Sequence, residues 1–330
     1  MASAGAGPKT PPMRILFVTA TRIGDAVLST GLLSYLIERH PSARITIAAG
    51  PLAAQIFACA PQLERLLVVA KRKFALHWAG LYAAVALQRW DMVVDLRGSA
   101  LAYFLLARER HSIAKGEGEH RVRQLAKIFA LDPPPSPRLW LGAQHERRAA
   151  ELVPPGAPVL ALAPAANWRG KEWRAERFSE LARRLTASDG VLPSARVLVL
   201  AAAHERGQAA PVLEAVPPAR RIDLVGKVDL LTAGAALKRC ALFVGNDSGL
   251  MHLAAAAGIP TLGLFGPTST ARYAPWGPLG AVATTTQKPA AMFGPGFDHR
   301  TTDTLMDTLS IDAAEEAAHD LWERVVGAAA

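Results

Sequence analysis

Residues 14–50, RILFVTATRIGDAVLSTGLLSYLIERHPSARITIAAG, hold an apolar run, a turn carrying Gly24-Asp25, a helical pattern and a second apolar run. RILFVTA reads as a short buried strand. AVLSTGLLSYLIERH reads as a helix with Val27, Leu28, Leu32 and Leu36 on one face, and ARITIAAG, after Pro41, as a second strand. Strand, helix and strand in this order form a βαβ unit, and such units build parallel sheets.

Outward from this unit the pattern continues. Further strands are expected at RLLVVA (65–70) and DMVVDLRG (91–98), whose near-continuous apolar character fits burial on both faces. Proline density in LDPPPSPRLWLG (131–142) and VPPGAP (153–158) marks a boundary region, with a linker over 143–157. The alternation restarts with PVLALAP (158–164), a helix near 177–185, ARVLVLAAA (195–203), ALFVGND (241–247) and PTLGLFGP (260–267). The reading is two doubly wound α/β domains in tandem, residues 13–142 and 158–310. An amphipathic helix opens the tail 311–330, with Asp312 in its first turn.

The chain has 330 residues, and its 51% hydrophobic content supplies two cores. Its 37 Lys and Arg against 28 acidic residues, a net charge of +9, favour an anionic partner or a general surface excess. Cys59 and Cys240 match no disulfide or metal spacing, which points to a reducing cytosol. The lead-in MASAGAGPKTPP (1–12) lacks the apolar core of a signal peptide and is expected to be disordered. The least polar long window, SGLMHLAAAAGIPTLGLFG (248–266), contains His252, Gly258 and Pro260, so a buried helix followed by a buried strand is expected there.

Four segments carry candidate chemistry. Gly24-Asp25 lies just past a strand end, where open parallel sheets bind ligands. Asp25 is then either a helix N-cap worth about 1 kcal/mol or a functional carboxylate. GNDSGLMHLAAAAGIP (245–260) runs a strand into a helix whose free amides can seat a phosphate. Ser248 and Gly249 allow close approach there and His252 follows one turn on; a capped core helix with an incidentally placed His is the alternative. In APAANWRGKEW (163–173), Lys171 suits a phosphate, Asn167 offers an amide, and Trp168 and Trp173 offer flat apolar walls. In DLRGSALA (95–102), Arg97 either grips an acidic substrate or pairs with Asp95 or Asp91. Ser248 is one position late for a nucleophile elbow, and no dinucleotide fingerprint or Walker loop is present.

Taken in order, RILFVTATRIGDAVLSTGLL, NWRGKEW and LFVGNDSGLMHLAAAAGIPTLGLFGPT resemble glycosyltransferase family 9, the ADP-heptose:lipopolysaccharide heptosyltransferases, over about residues 13–325. The resemblance implies an α/β fold of GT-B type, two Rossmann-like domains facing a central cleft, with the acceptor on the first and the nucleotide-sugar on the second. It implies Asp25 as the general base, Lys171 on the donor phosphates, and Asp247, Ser248, Gly249 and His252 lining the donor site. Asn167 stands where relatives often carry a hydroxyl residue. Glu205 is implied at the donor ribose, and the loop of Lys227 and Val228 beside the adenine.

The activity implied is inverting transfer of a heptose or related sugar from an ADP-sugar to a lipopolysaccharide inner-core acceptor. No D-x-D occurs in the chain, so metal-independent stabilisation of the leaving diphosphate is expected, with no cofactor beyond the co-substrate. Arg22 and Arg97 are expected to steer an anionic acceptor at the inner face of the cytoplasmic membrane, with no nucleic acid as partner. Two departures bear on donor and acceptor: TTDTLMDTLSIDAAEE (301–316) lacks a cysteine, and Thr21-Arg22-Ile23 replaces a small hydroxyl pair. A sugar-nucleotide epimerase and a non-catalytic nucleotide-sugar-binding protein are the alternatives.

Overall fold

The computed structural model describes residues 11–71, 73–114, 116, 118–294 and 297–328. Most of the lead-in expected to be disordered therefore lies outside the described residues. The first half contains β1 (Arg14–Val18), α1 (Ile23–Arg39), β2 (Arg44–Ala49), α2 (Pro51–Ala54), β3 (Leu63–Val68), α3 (Leu76–Val85), β4 (Trp90–Asp95), β5 (Ala107–Ser112) and α4 (Arg121–Ala126). Its five strands form a parallel sheet in the order β3-β2-β1-β4-β5.

After α5 (Ala143–Leu152) the second half contains β6 (Val159–Ala163), α6 (Ala175–Leu185), β7 (Arg196–Val199), α7 (Arg206–Ala215), β8 (Arg221–Asp223), α8 (Leu230–Leu237), β9 (Leu242–Asn246), α9 (Gly249–Ala256) and β10 (Thr261–Phe265). It closes with α10 (Thr270–Tyr273), β11 (Gly280–Thr284), α11 (Pro289–Met292) and α12 (Ile311–Gly327). The six strands are parallel in the order β11-β10-β9-β6-β7-β8. The window 248–266 is α9 followed by β10, as its glycine and proline imply. Among the described residues no helix is long and apolar enough to cross a membrane.

Strand order fixes where ligands can sit. In each sheet the direction of winding reverses at one place, between β1 and β4 in the first and between β6 and β9 in the second. The loops leaving those strands diverge and open a crevice at the carboxyl edge. The Asp25 loop follows β1, the Lys171 loop follows β6, and the Asp247 loop follows β9.

Helix α1 is buried without a break from Ala26 to Ser34. Its hydroxyls are satisfied internally: Ser29 and Thr30 donate to the carbonyls of Ala26 and Val27 at 2.7 Å. The proline-rich strap closes over it, since Arg138 donates its amide to Thr30 Oγ1 at 2.9 Å and a Cβ at Gly31 would strike the Pro135 carbonyl. One apolar cluster runs from Ile15, Phe17 and Leu32 of the first half to Ala161, Phe243 and Met251 of the second, joining the two sheets through helix contacts.

Three elements add to or differ from the reading of the sequence. The segment 143–157, expected as a linker, is largely helical: good helix formers between the proline clusters build α5, whose Ala149 joins Ala233, Ala236 and Leu237 of α8 in the core. Strand β3 is not buried on both faces, because it is a sheet edge and none of its residues is fully buried, Val68 being among the exposed ones. Strand β5, ARERHS, is absent from the sequence reading; it is the opposite edge, where charged side chains replace the apolar signal.

Candidate functional site

The first switch point is built by the turn from β1 into α1. Arg22 has extended backbone and is the N-cap, without a side-chain cap bond, and the helix begins at Ile23. Asp25 is thus the third helical residue and not the cap, so the capping reading is set aside. Its carboxylate, 21% exposed, lies 3.7 Å from Arg121 Nε. Arg121 opens α4, where it donates from Nη1 to Gln124 Oε1 at 2.7 Å and from Nη2 to the Leu96 carbonyl at 3.5 Å. Burial lowers the Arg121 guanidinium from its ordinary value, and Asp25 opposes that shift.

Beside it, the turn after β4 carries Asp95, whose carboxylate accepts the amides of Arg97 and Ser99 at 2.9 and 2.7 Å and the Ser99 hydroxyl at 2.6 Å. Arg97 does not ion-pair through its guanidinium with Asp95 or Asp91. The guanidinium lies over the Trp78 ring, 4.5 Å from its centroid, and burial lowers it against the pull of Asp95. Asp91 instead accepts the Arg14 amide and faces Arg108 at 3.6 Å. Arg22 is exposed.

The second switch point is tied together by Asn246, at the end of β9. Its side chain donates to the Pro164 carbonyl at 2.7 Å and accepts the Trp173 amide at 3.1 Å, locking the loop after β6 to the loop after β9. Lys171 then meets Asp247: Nζ donates to Oδ2 at 2.6 Å and to the Asp247 carbonyl at 3.3 Å, with the carboxylate only 6% exposed. Ser248 is the N-cap of α9 but makes no side-chain cap bond. Ser248 Oγ and His252 Nδ1 are buried and have no hydrogen-bond partner among the described residues. Because buried polar groups are nearly always paired, this first turn of α9 has unused hydrogen-bonding capacity beside its free amides. Burial takes His252 down to about 4, against the raising influence of Asp247, so its ring is neutral at neutral pH.

The two switch points meet. A Cβ at Gly24 would lie 2.8 Å from His252 Cδ2, and one at Gly249 would lie 2.7 Å from Ile23 Cβ, so glycine at both positions lets α1 and α9 abut at their N-terminal ends. The motif Gly24-Asp25 and the motif of Asp247, Ser248, Gly249 and His252 are therefore parts of one junction. A second bridge crosses beside it. His120 Nε2 pairs with the Ala274 carbonyl at 3.0 Å, and Arg272 donates to the Gly116 carbonyl and to Gln124 at 3.1 and 3.4 Å. No short motif announces Arg121, Gln124 or Arg272, since their partners lie far away in sequence.

The remaining expected residues are spread along the carboxyl edge of the second sheet. Asn167 is exposed in the Lys171 loop. Trp168 donates to the His299 carbonyl at 2.7 Å and stacks near Phe293, whereas Trp173 is buried in the core and forms no wall. Glu205, after β7, accepts the Ala202 amide at 2.8 Å and so caps its own turn. Val228, after β8, packs against the core, and neighbouring Lys227 is held by Asp223 at 2.7 Å. Among the described residues no three His, Cys, Asp or Glu side chains gather as metal ligands.

Comparison with known proteins bears on this junction directly. Residues 83–294, which include Arg121, Lys171 and the 245–252 segment, match the model of glycosyltransferase family 9 (heptosyltransferase). The chain is 29% identical over 294 residues to lipopolysaccharide heptosyltransferase 1 of Pseudomonas aeruginosa, covering 78% of this chain and 79% of that protein. Its fold is similar to that of a glycosyl transferase of family 9 from Veillonella parvula, with a TM-score of 0.76 and 19% identity over 94% of this chain and 97% of that one. It is also similar to the E. coli ADP-heptose lps heptosyltransferase II, with a TM-score of 0.73 and 19% identity over 95% of this chain and 100% of that one. Two parallel-sheet domains, abutting helix ends at their switch points and a family match across most of the chain lead to one conclusion: this protein belongs to glycosyltransferase family 9 and is a glycosyltransferase of GT-B fold.

Proposed function

We propose that this chain transfers a heptose or a closely related sugar from an ADP-sugar to an acceptor in the inner core of lipopolysaccharide, with inversion and without a metal ion. The observation that carries the reading is the junction of α1 and α9. It sets a partly exposed carboxylate on one side and an ammonium with free helix amides on the other.

Asp25 takes the proton from the attacking hydroxyl as the new glycosidic bond forms on the face of the anomeric carbon opposite the diphosphate. The nucleoside diphosphate leaves with the electrons of the broken bond. Its developing charge is met by the amides of the first turn of α9, by Ser248 and by Lys171, groups already oriented before the reaction. Lys171 is held by Asp247 beside those amides, so a phosphate gains the ammonium without reordering a free lysine chain. Neutral His252 offers a hydrogen bond and no charge. Arg121 orients the Asp25 carboxylate and keeps a positive charge beside it.

On the same reading Asn167 reaches the diphosphate, Glu205 and Val228 border the nucleoside, and Arg22 and Arg97 receive the anionic acceptor. The protein works in the cytoplasm against the inner membrane surface, with no resident cofactor and no nucleic acid partner.

Thermal shift with ADP-, UDP-, GDP- and CMP-sugars tests the donor, because selective binding to the native state raises the midpoint by mass action. A response to the UDP-sugar alone sinks the ADP-heptose reading. Product analysis tests the reaction: transfer requires acceptor, whereas an altered sugar released without acceptor identifies an epimerase. The anomeric configuration of the product decides inversion, and loss of activity in EDTA with recovery in magnesium defeats the metal-independent mechanism.

A further inference from the structure

Helix α3 differs from the other surface helices of the molecule. α12 turns charged Asp312, Glu323 and Arg324 to solvent, and α6 carries five charged residues among its eleven with an apolar stripe of Phe178, Leu181 and Leu185 inside. α3 reads LHWAGLYAAV and continues into Ala86 and Leu87, without a single Asp, Glu, Lys or Arg. One side is accounted for: Leu81 and Val85 join Trp90, Leu101, Ala102 and Leu105 in a buried cluster on one face of the first sheet. The other side is apolar too, and it faces outward. Leu76 is 55% exposed, Tyr82 is 42% exposed and Leu87 is 99% exposed. Phe74 ahead of the helix, held at a φ of 53°, and Phe104 on the neighbouring turn are exposed as well. A helix that is apolar all round belongs either in a protein core or against lipid, and contiguous exposed apolar surface marks an interaction site.

The charge around this face identifies the partner. From Arg65 to Trp90 the chain has Arg65, Lys71, Arg72, Lys73 and Arg89 and no acidic residue. Lys71 and Lys73 stand before the first turn of α3, and Arg89 stands beyond its last turn. At that far end Arg89, Arg14, Arg44, Arg108 and Arg110 line a groove of about 950 Å³ together with Leu106. Arg44 and Arg108 are paired with Glu64 and Asp91, but Arg14 and Arg89 make no ion pair with a described residue. A second copy of the chain fits this face poorly. Pairing about a two-fold axis sets Lys71 and Lys73 of one copy against the same lysines or Arg89 of the other, and the α3 segment itself carries no carboxylate to offset the repulsion.

We infer that α3 is a membrane-docking element. It lies in the plane of an anionic leaflet with Leu76, Tyr82 and Leu87 at the boundary of head groups and acyl chains, and the basic residues at both of its ends engage lipid phosphates. Apolar burial and about 1 kcal/mol for each basic residue near an anionic surface add together in such a contact. The placement serves the site. α3 connects the carboxyl end of β3 to the start of β4, so its first turn lies at the edge where the β1 and β4 loops open. Arg97, on the β4 loop, stacks on Trp78 of α3 and links the docking face to the rim of the cleft. A lipid-borne acceptor thus meets the cleft from the side on which the protein rests.

This inference deepens the reading of a lipid-borne acceptor, and its test uses neither donor nor acceptor, so each can fail alone. The full-length protein is floated with phosphatidylcholine vesicles and with vesicles that also contain phosphatidylglycerol. Binding is expected to the anionic vesicles, weakly to the neutral ones, and to fall as salt rises. Tyr82→Glu combined with Leu87→Glu should weaken vesicle binding by about tenfold or more, with an unchanged thermal midpoint and unchanged transfer to a short lipid-free acceptor. Lys71→Glu with Lys73→Glu, which alters no apolar contact, should also weaken it and keeps the test valid where the first variant does not fold. The inference is overturned if the wild type does not float with anionic vesicles or if both variants float as it does. It is equally overturned if the wild type is a dimer in solution that Leu87→Glu separates, since a second copy would then cover the face.

Discussion

Asp25 and Asp247 both stand where a switch-point strand gives way to a helix, Asp25 in the first turn of α1 and Asp247 just ahead of the Ser248 cap of α9, yet they are treated in opposite ways. Asp247 is almost fully enclosed and tied to Lys171 at 2.6 Å. Asp25 is more exposed and has its cation at 3.7 Å, with no side-chain hydrogen bond to it. A buried carboxylate bound so closely is committed to holding its partner, because leaving either charge unpaired is costly. A carboxylate with a looser, partly wet partner retains lone pairs for an incoming hydroxyl. The same topology thus yields one carboxylate that positions a lysine and one that is free to take a proton.

The sharpest way to break this contrast is Asp25→Asn, which keeps the shape and removes the base. Turnover should drop by about 10²–10⁴-fold, while ADP-sugar binding measured by calorimetry stays close to wild type; retained turnover would end the assignment of the base. Lys171→Ala attacks the other side. It strands the Asp247 charge, so urea unfolding should report a loss of about 3 kcal/mol. Adding Asp247→Asn should recover much of that loss without restoring donor affinity; equal stability of Lys171→Ala and wild type would show that the pair is not a structural tie.

His252 probes the junction through pH. Its folded value, about 4, lies below the ordinary 6.5, so the unfolded chain binds more protons between the two. Its contribution is fully present above about pH 6.5 and is lost as pH falls toward 4, by about 3 kcal/mol at most. Wild type should therefore lose more unfolding free energy between pH 7 and pH 4.5 than His252→Gln; parallel curves would mean that the ring is not buried neutral.

The smallest expected effect belongs to Arg121→Met. Losing the group that orients Asp25 should lower kcat about tenfold with KM for the donor unchanged and with partial rescue by Arg121→Lys. A raised donor KM at constant kcat would move Arg121 to the nucleotide side.

Much of this was readable beforehand because local pattern reports burial. The apolar runs at 14–20, 158–164, 241–247 and 260–267 became β1, β6, β9 and β10, all interior strands. The edges were harder. β5 is charged and β8 is only three residues long, so periodicity carries little signal there. The helical pattern AVLSTGLLSYLIERH places the start of α1 at Ala26, three residues late, because Arg22 caps the helix by backbone geometry without a capping side chain. That displacement matters, since it moves Asp25 from the cap into the first turn.

The sequence by itself determined the two alternating α/β halves, the strand-to-helix turns and the identities of Asp25, Lys171 and Asp247, because short-range pattern and residue chemistry suffice for those. Only the tertiary structure decided which carboxylate is tied and which is available, that Arg121 stands beside Asp25, and that Gly24 meets His252. Those facts depend on contacts across 76 or more residues and, for Gly24 and His252, across the two halves, and no local preference encodes which surfaces two folded halves will press together.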